Sequence, residues 1–494
     1  MTFVIKELQK CINQNRSDFA FCINDTFYTY DEFGRQVLAI SKQLDVCLSE
    51  NNSRVAILCE NHIETYASVV ACWFSGIAFV PILNKNPLER NLAILKEANI
   101  NAILSASELI KGEYTDYFEI LYTNHIDRFD SFEFVDRDQD LCAEAYILFT
   151  SGSTGVPKGV PITFGNLNSF LDAFCDSEFV IEKSDRCLQM FDLTFDVSIS
   201  SFVTALLSGS CIYTVSDKTH KYIDVFRLIN KYKLTSIQIV PSILKLGKPL
   251  YGRVDFSSLK KCILTGEATN VNDLEGFQLM VPNARIFNYY GPTECTIYCS
   301  SIEICKNEIK SYNGLVTIGK PLKNTEFLLL NAAGNLCVNN EKGELWVCSP
   351  QLTHGYLNEN LNSFSFREIE GKVYYKTGDI CFVDDEGDFL YCGRIDNQIQ
   401  IQGFRVELGE VEFRCKEKIG YNCVALDKTN GNGFLEIIIV LETDAFDNTE
   451  EMLQSLNEAL PHYMLPSSIY TIPIFPLTES GKTDRVAIRK SFEN

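Results

Sequence analysis

Short apolar runs alternate with longer amphipathic stretches over most of this chain, and that alternation limits what it can fold into. Strand-like runs lie at 55–58, 78–80, 102–104, 211–215, 237–240 and 262–264. Helical patterns lie between them at 63–74, 88–98 and 222–233. Apolar strands separated by helix-length segments form parallel sheets with helices on their faces, because a parallel pair needs a long crossover. Ligands in such sheets bind beyond the carboxyl ends of the strands. The expected class is therefore α/β.

The pattern changes after about Lys320. Shorter strands at 327–330, 343–348, 373–375 and 389–392 are separated by Gly and Asn turns, which reads as a distorted, antiparallel β-barrel subdomain. A polar stretch, Asp396-Asn397-Gln398, follows Gly393-Arg394. The last hundred or so residues then show an Asn430-Gly431 turn, a strand at 435–441, a helix from about 450 to 460 and a strand at 469–472. That is a small α+β unit. A chain of 494 residues exceeds one ordinary domain. We expect a large domain at 1–395, of stacked α/β sheets plus the barrel, and a small one at 396–494.

Composition excludes several classes. With 46% apolar and 22% charged residues the chain is globular. A net charge of −21 disfavours nucleic acid and anionic membrane, which are polyanions. There are 19 cysteines and five histidines with no Cys-x-x-Cys pair, and Cys295 and Cys299 have no second cluster, so the expectation is reduced thiols rather than a structural metal site. The charged N-terminus is no signal peptide, and the longest apolar stretch, 69–83, is broken by Ser75 and Gly76. A cytoplasmic location is expected.

The segment that carries chemistry follows the run Ala145-Tyr146-Ile147-Leu148. It reads Thr150-Ser151-Gly152-Ser153-Thr154-Gly155-Val156-Pro157-Lys158-Gly159. Glycines let backbone N–H groups turn onto an anion, hydroxyls add donors and Lys158 adds charge. It departs from the GxxxxGK[ST] loop, since Pro157 stands where that pattern has its second Gly.

This segment resembles the phosphate-loop signature of the adenylate-forming superfamily, which includes acyl-CoA synthetases, luciferases and the adenylation domains of nonribosomal peptide synthetases. Further motifs follow in order. Tyr289-Tyr290-Gly291-Pro292-Thr293-Glu294 resembles the aromatic-Gly-Pro-Thr-Glu motif, and Tyr375-Lys376-Thr377-Gly378-Asp379 the Thr-Gly-Asp motif. Gly393-Arg394-Ile395-Asp396 resembles the hinge, and 476–485 the C-terminal lysine motif. The resemblance implies an ATP-dependent, AMP-forming ligase using Mg²⁺. By it, Thr150, Ser151, Gly152, Ser153, Thr154, Gly155 and Lys158 cradle phosphate. Gly266, Glu267, Ala268, Asn288, Tyr289, Tyr290 and Gly291 surround adenine. Asp379 binds the ribose hydroxyls with Arg394 beside them. Thr293 touches the α-phosphate, and Glu294 holds the metal, as suits a hard oxygen ligand. Lys482 stabilises charge on the oxygens in flight. Asp396 is the hinge of a mobile lid, and Gly403 lines a pantetheine tunnel. Gln400 and Gln402 depart from the family, which commonly has basic residues there.

Phe195-Asp196-Val197-Ser198 resembles the segment in which amino-acid-activating members pair an aspartate with the substrate ammonium. A buried carboxylate calls for such a cation; the competing reading is a helix cap. Val197, Ser200, Gln238, Ile263, Thr265, Tyr289, Ile297 and Tyr298 are expected to line the rest of the pocket. Two tyrosines and a glutamine favour a small side chain, such as glycine, alanine or serine. Glycine-type pockets and the D-alanine ligases of teichoic acid synthesis are both compatible. With no carrier motif in the chain, the acceptor thiol is expected on a separate phosphopantetheinylated carrier protein. The rival readings are an acyl- or aryl-CoA ligase of the same fold and an inactive nucleotide-binding module.

Overall fold

A computed structural model describes residues 4–47, 53–109, 112–126, 129, 131–134, 140–152, 157–216, 220–306, 308–478 and 483–492. The chain packs as two compact units. The first comprises 1–83, 95–149 and 159–395; the second comprises 84–94, 150–158 and 396–494.

Two sheets dominate the first unit. The larger has nine strands in the order Thr26–Thr29, Phe19–Ile23, Cys211–Thr214, Arg186–Gln189, Ser236–Ile239, Lys261–Leu264, Arg285–Tyr290, Ser300–Glu303 and Lys320–Pro321. Its middle is parallel and its two ends are antiparallel. The other runs Glu119–Tyr122, Ala102–Ser105, Arg54–Leu58, Ala78–Ile82, Glu144–Thr150 and Lys158–Thr163. The apolar runs read from the sequence thus fall on buried parallel strands, and the helix Ile63–Phe74 begins and ends where its pattern does. That helix is buried on every side except at Glu64, as a helix apolar all round must be. Trp73 near its end donates Nε1–H to the Ala145 carbonyl, 2.9 Å, so the largest core ring leaves no polar atom unpaired.

The strands after Lys320 form a five-stranded antiparallel sheet in the order Glu326–Leu330, Gly343–Cys348, Lys372–Val383, Phe366–Ile369, with Phe389–Arg394 also on Lys372–Val383. Among the described residues this sheet stays open, where the sequence led us to expect a barrel. The cause is the long strand Lys372–Val383. Its first half pairs with Phe366–Ile369 and its second, from Asp379 on and across a register shift between Ile380 and Cys381, with Phe389–Arg394. The sheet therefore forks along one edge instead of returning to its first strand.

In the second unit, Cys423–Thr429, Leu435–Glu442 and Ser468–Ile472 form a three-stranded sheet, antiparallel then parallel. The helices Leu408–Ile419 and Thr449–Asn457 supply Val411, Cys415, Met452 and Leu456 to a core shared with Ile437 and Ile439. Ahead of them, Gln398–Ile401 and Phe404–Glu407 make a hairpin. Its two turn residues, Gln402 (φ 52°) and Gly403 (φ 83°), are both left-handed, the pairing that a tight two-residue turn requires.

Candidate active site

Within the first unit, the strand Arg285–Tyr290 delivers two tyrosines to opposite faces, as strand alternation dictates. Tyr290 donates its hydroxyl to Asp379 Oδ2 at 2.5 Å. Burial first, then the Asp379 charge, hold this phenol well above its ordinary range, so it stays a donor. Asp379 Oδ1 accepts from Arg394 Nη1 at 2.7 Å, the two residues being direct cross-strand partners. Gly378 (φ 74°) turns the chain just before it, and the Asp379 N–H donates to Thr377 Oγ1. Tyr290, Asp379 and Arg394, which lie far apart in sequence, thus form one hydrogen-bonded group. Tyr289 points elsewhere: its hydroxyl meets Ser177 Oγ at 2.8 Å, at a surface cleft also lined by Phe287 and Ser301.

Gly291 follows. A Cβ there would lie 2.3 Å from the Ile297 carbonyl oxygen and 2.7 Å from Tyr298 Cα, so only glycine lets these backbones approach. Beyond it Glu294 is fully buried, and its Oε1 accepts from the Tyr356 hydroxyl at 2.8 Å. Thr296 (φ 53°) and Ile297 (φ 76°) are consecutive β-branched residues in the left-handed region, an arrangement that costs free energy and persists only when it is held. Gln351 holds it. Its backbone carbonyl accepts from Thr296 Oγ1 at 2.5 Å and its side-chain Nε2 donates to the Tyr298 carbonyl at 2.8 Å. Nothing near Tyr356 or Gln351 in the sequence marks either residue.

Asp196 is the first residue of the helix Asp196–Leu207, and Phe195 takes the cap position. It is 7% exposed, and Oδ2 has no hydrogen-bond partner. Burial pushes its carboxyl up to about 7; the Thr293 side chain opposes this and the Glu294 charge adds to it. Tyr146 has a buried hydroxyl that also lacks a partner; burial and then the Asp196 charge raise its pKa. Ser200, one turn along the helix, donates to Gln238 Oε1 at 3.2 Å, and the Tyr298 hydroxyl donates to the same oxygen at 2.9 Å. Gln238 and Ile263 are cross-strand partners. Val197, Thr265 and Ile297 are buried too.

The other expected adenine-side residues are engaged structurally. Asn288 accepts from Thr269 Oγ1 at 3.0 Å and donates to the Thr317 carbonyl at 2.8 Å. Glu267 Oε2 accepts the Ser242 N–H at 2.9 Å. Gly266 is left-handed at 81° and Ala268 is exposed.

The described part of the phosphate loop belongs to the second unit. Ser151 Oγ donates to the Arg405 carbonyl at 2.9 Å, and the Gly152 N–H donates to Glu410 Oε2 at 3.3 Å. Lys158 Nζ lies 4.0 Å from Glu407 Oε1, and Thr150 Oγ1 is buried with no partner. Asp396 is exposed and accepts the Gln398 N–H at 3.1 Å, while Gly403 sits in the hairpin turn. Ser153, Thr154, Gly155 and Lys482 lie outside the described residues. Among the described residues, no helix is long and apolar enough to cross a membrane.

A family model described as AMP-binding enzyme matches residues 8–357, taking in the phosphate loop, Asp196, Tyr290 and Glu294. The chain belongs to this family of AMP-binding enzymes. Members similar to it include bacitracin synthase 2 of Bacillus licheniformis, 30% identical over 95% of this chain but only 18% of that protein. The chain likewise spans less than a fifth of the plipastatin and surfactin synthase subunits that it matches. It is 26% identical to the D-alanine–D-alanyl carrier protein ligase of Bacillus cytotoxicus over 98% of each chain. In fold it is similar to the Vibrio cholerae adenylation domain AlmE in complex with glycyl-adenosine-5'-phosphate, with a TM-score of 0.87 and 23% identity over 100% of this chain and 98% of that one.

Proposed function

We propose that the protein activates a small amino acid as its aminoacyl-adenylate and then passes the acyl group to the phosphopantetheine thiol of a separate carrier protein. The observation that carries this reading is the buried, half-unpartnered carboxylate of Asp196. A charge taken out of water with one oxygen unpaired calls for a cation, and the α-ammonium of an amino acid supplies one. Resemblance to carrier protein ligases and peptide synthetase modules supports the thiol acceptor.

In the first step the substrate carboxylate attacks the α-phosphorus of ATP. A new P–O bond forms, the bond to the bridging oxygen breaks, and pyrophosphate leaves with the electron pair. Asp196 fixes the ammonium and so aims the carboxylate, a gain in orientation. Tyr290 stacks on adenine, while Asp379 and Arg394 face the ribose. Glu294 is suited to Mg²⁺, since one buried carboxylate plus substrate phosphates is a common donor set for that ion. The metal would screen phosphate charge. Lys482 stabilises the oxygens in flight. In the second step the pantetheine thiol displaces AMP from the acyl carbon, and residues 396–494 act as the lid that turns about Asp396 to bring Gly403 to the arm.

Gln238, tied to Ser200 and Tyr298, closes the pocket floor, so glycine, alanine and serine are the favoured substrates. An ATP–pyrophosphate exchange panel of amino, fatty and aryl acids tests the reading. Exchange confined to small amino acids is the expected result; exchange only with acids lacking an amino group would overturn it. Lys482→Ala should abolish that exchange while leaving the circular dichroism spectrum unchanged.

A further inference from the structure

Two buried polar atoms of the first unit, Asp196 Oδ2 and the Tyr146 hydroxyl, have no hydrogen-bond partner among the described residues. Tyr146 stands on the strand Glu144–Thr150, opposite Phe79 of Ala78–Ile82. It is 0% exposed, and its ring centroid lies 5.8 Å from that of Phe79. The apolar cluster around it also takes in Val197, Ile199 and Phe202, which belong to the helix that Asp196 begins. Burial and then the Asp196 charge hold this phenol well above its ordinary range, so the hydroxyl keeps its proton. Tyr298 also feels that charge, but its hydroxyl is bound to Gln238 Oε1 at 2.9 Å. Tyr146 is the phenol beside Asp196 whose hydroxyl the fold leaves unused.

A hydroxyl buried without a partner destabilises a fold, and phenylalanine at the same place would avoid that loss. Such a group calls for an explanation in what binds beside it. A phenol oxygen accepts one N–H and a carboxylate oxygen another, whereas an ammonium carries several N–H donors and no acceptor. One ammonium therefore satisfies both orphaned atoms at once. We propose that Tyr146 is a second substrate-binding residue, its hydroxyl oxygen accepting an N–H of the α-ammonium that pairs with Asp196 Oδ2. The ammonium makes and breaks no bond during adenylation, so the contact is the same in the ground state and the transition state. It belongs to uniform binding and is felt in KM rather than in kcat.

The inference rests on the amino-acid reading of Asp196, and the test separates the two. Pyrophosphate exchange is measured with glycine, alanine and serine, and with acetate and benzoate as acids lacking an amino group. The proteins compared are the unaltered full-length chain, Tyr146→Phe and Asp196→Asn, and thermal unfolding of each is recorded without substrate. Phenylalanine keeps the ring against Phe79 and removes the oxygen alone. In Tyr146→Phe the amino-acid KM should rise roughly tenfold or more, since a hydrogen bond to a charged group is lost. Its kcat should stay within about threefold and its KM for ATP within about twofold, as the loss of uniform amino-acid binding requires. Its unfolding temperature should stay level or rise, because an unmet hydroxyl has gone. A purely structural role would lower that temperature and leave the amino-acid KM unchanged. An unchanged amino-acid KM in Tyr146→Phe, with a raised one in Asp196→Asn, overturns the inference and leaves the amino-acid reading standing. A rise in both KM values together with a lower unfolding temperature also overturns it. Exchange only with acetate or benzoate overturns the amino-acid reading and this inference with it.

Discussion

Tyr356 donates its hydroxyl to Glu294 Oε1 at 2.8 Å, although 62 residues separate the two in the chain. Both are buried, and the bond fixes the direction of the carboxylate that is expected to hold Mg²⁺. A hydrogen bond to a buried charge contributes about 1.5–3 kcal/mol. Tyr356→Phe should therefore lower kcat/KM for MgATP roughly tenfold or more in pyrophosphate exchange and leave the amino-acid preference unchanged. An unaltered MgATP dependence would remove Tyr356 from the site.

The pH dependence of substrate binding follows from Asp196. Its carboxyl is held up to about 7, chiefly by burial, and it must be ionised to pair with an ammonium. The amino-acid KM should fall about tenfold per pH unit on the acid side of 7 and level off above it. Asp196→Asn should raise KM and abolish this dependence. The sign for stability is the reverse of that for a salt-bridged carboxylate. The folded value lies above the ordinary 3.8, so the group's contribution is fully present below about pH 4 and is lost as pH rises to about 7. Urea midpoints of the protein and the Asn variant should converge toward low pH and separate toward neutrality, with the variant the more stable at pH 8.

Gln238 accepts from both Ser200 and Tyr298, and on the proposed reading it sets the size of the substrate pocket. Gln238→Ala should open space beside Ile263, its cross-strand neighbour. The ratio of exchange rates for leucine over glycine should rise roughly tenfold or more, since a few methylenes contribute on the order of 1–3 kcal/mol each to discrimination. Loss of all exchange with no change in ratio would argue that Gln238 serves the fold alone.

At Gly291 even a methyl group meets backbone. Gly291→Ala would set its Cβ 2.3 Å from the Ile297 carbonyl oxygen, and the strand and the left-handed corner would have to separate. A loss of about 1–3 kcal/mol in denaturant unfolding is expected, as for other overpacked sites. Full stability would mean that the corner yields easily.

What could be read in advance was whatever the chain writes locally. Apolar runs gave parallel strands because both faces of such strands are buried, and the motif glycines stand where the backbone turns left-handed or approaches closely, as at Gly378 and Gly291. Long-range contacts were hidden. Tyr356 and Gln351 act on residues more than fifty positions away, and no periodicity reveals such a partner. Asn288 and Glu267 are expected beside adenine by resemblance, yet their polar atoms are occupied by Thr269, Thr317 and Ser242, which only the folded chain brings near. The open sheet after Lys320 was missed because the turn pattern specifies antiparallel strands but not whether the last one returns to the first. The Asp379–Arg394 pair was half legible: both residues were named, but their bond depends on strand register past an irregularity.

The corner at Thr296 and Ile297 has one further consequence. On the proposed reading it joins Glu294, which would hold the metal, to Tyr298, which would line the substrate pocket, through a backbone path that Gln351 clamps in an unfavourable conformation. A path so short and so rigid leaves little slack for independent adjustment. Redesigning the protein for a bulkier substrate at Tyr298 will therefore also disturb its use of nucleotide, and variants selected for new substrates should carry compensating changes around Gln351 rather than inside the pocket.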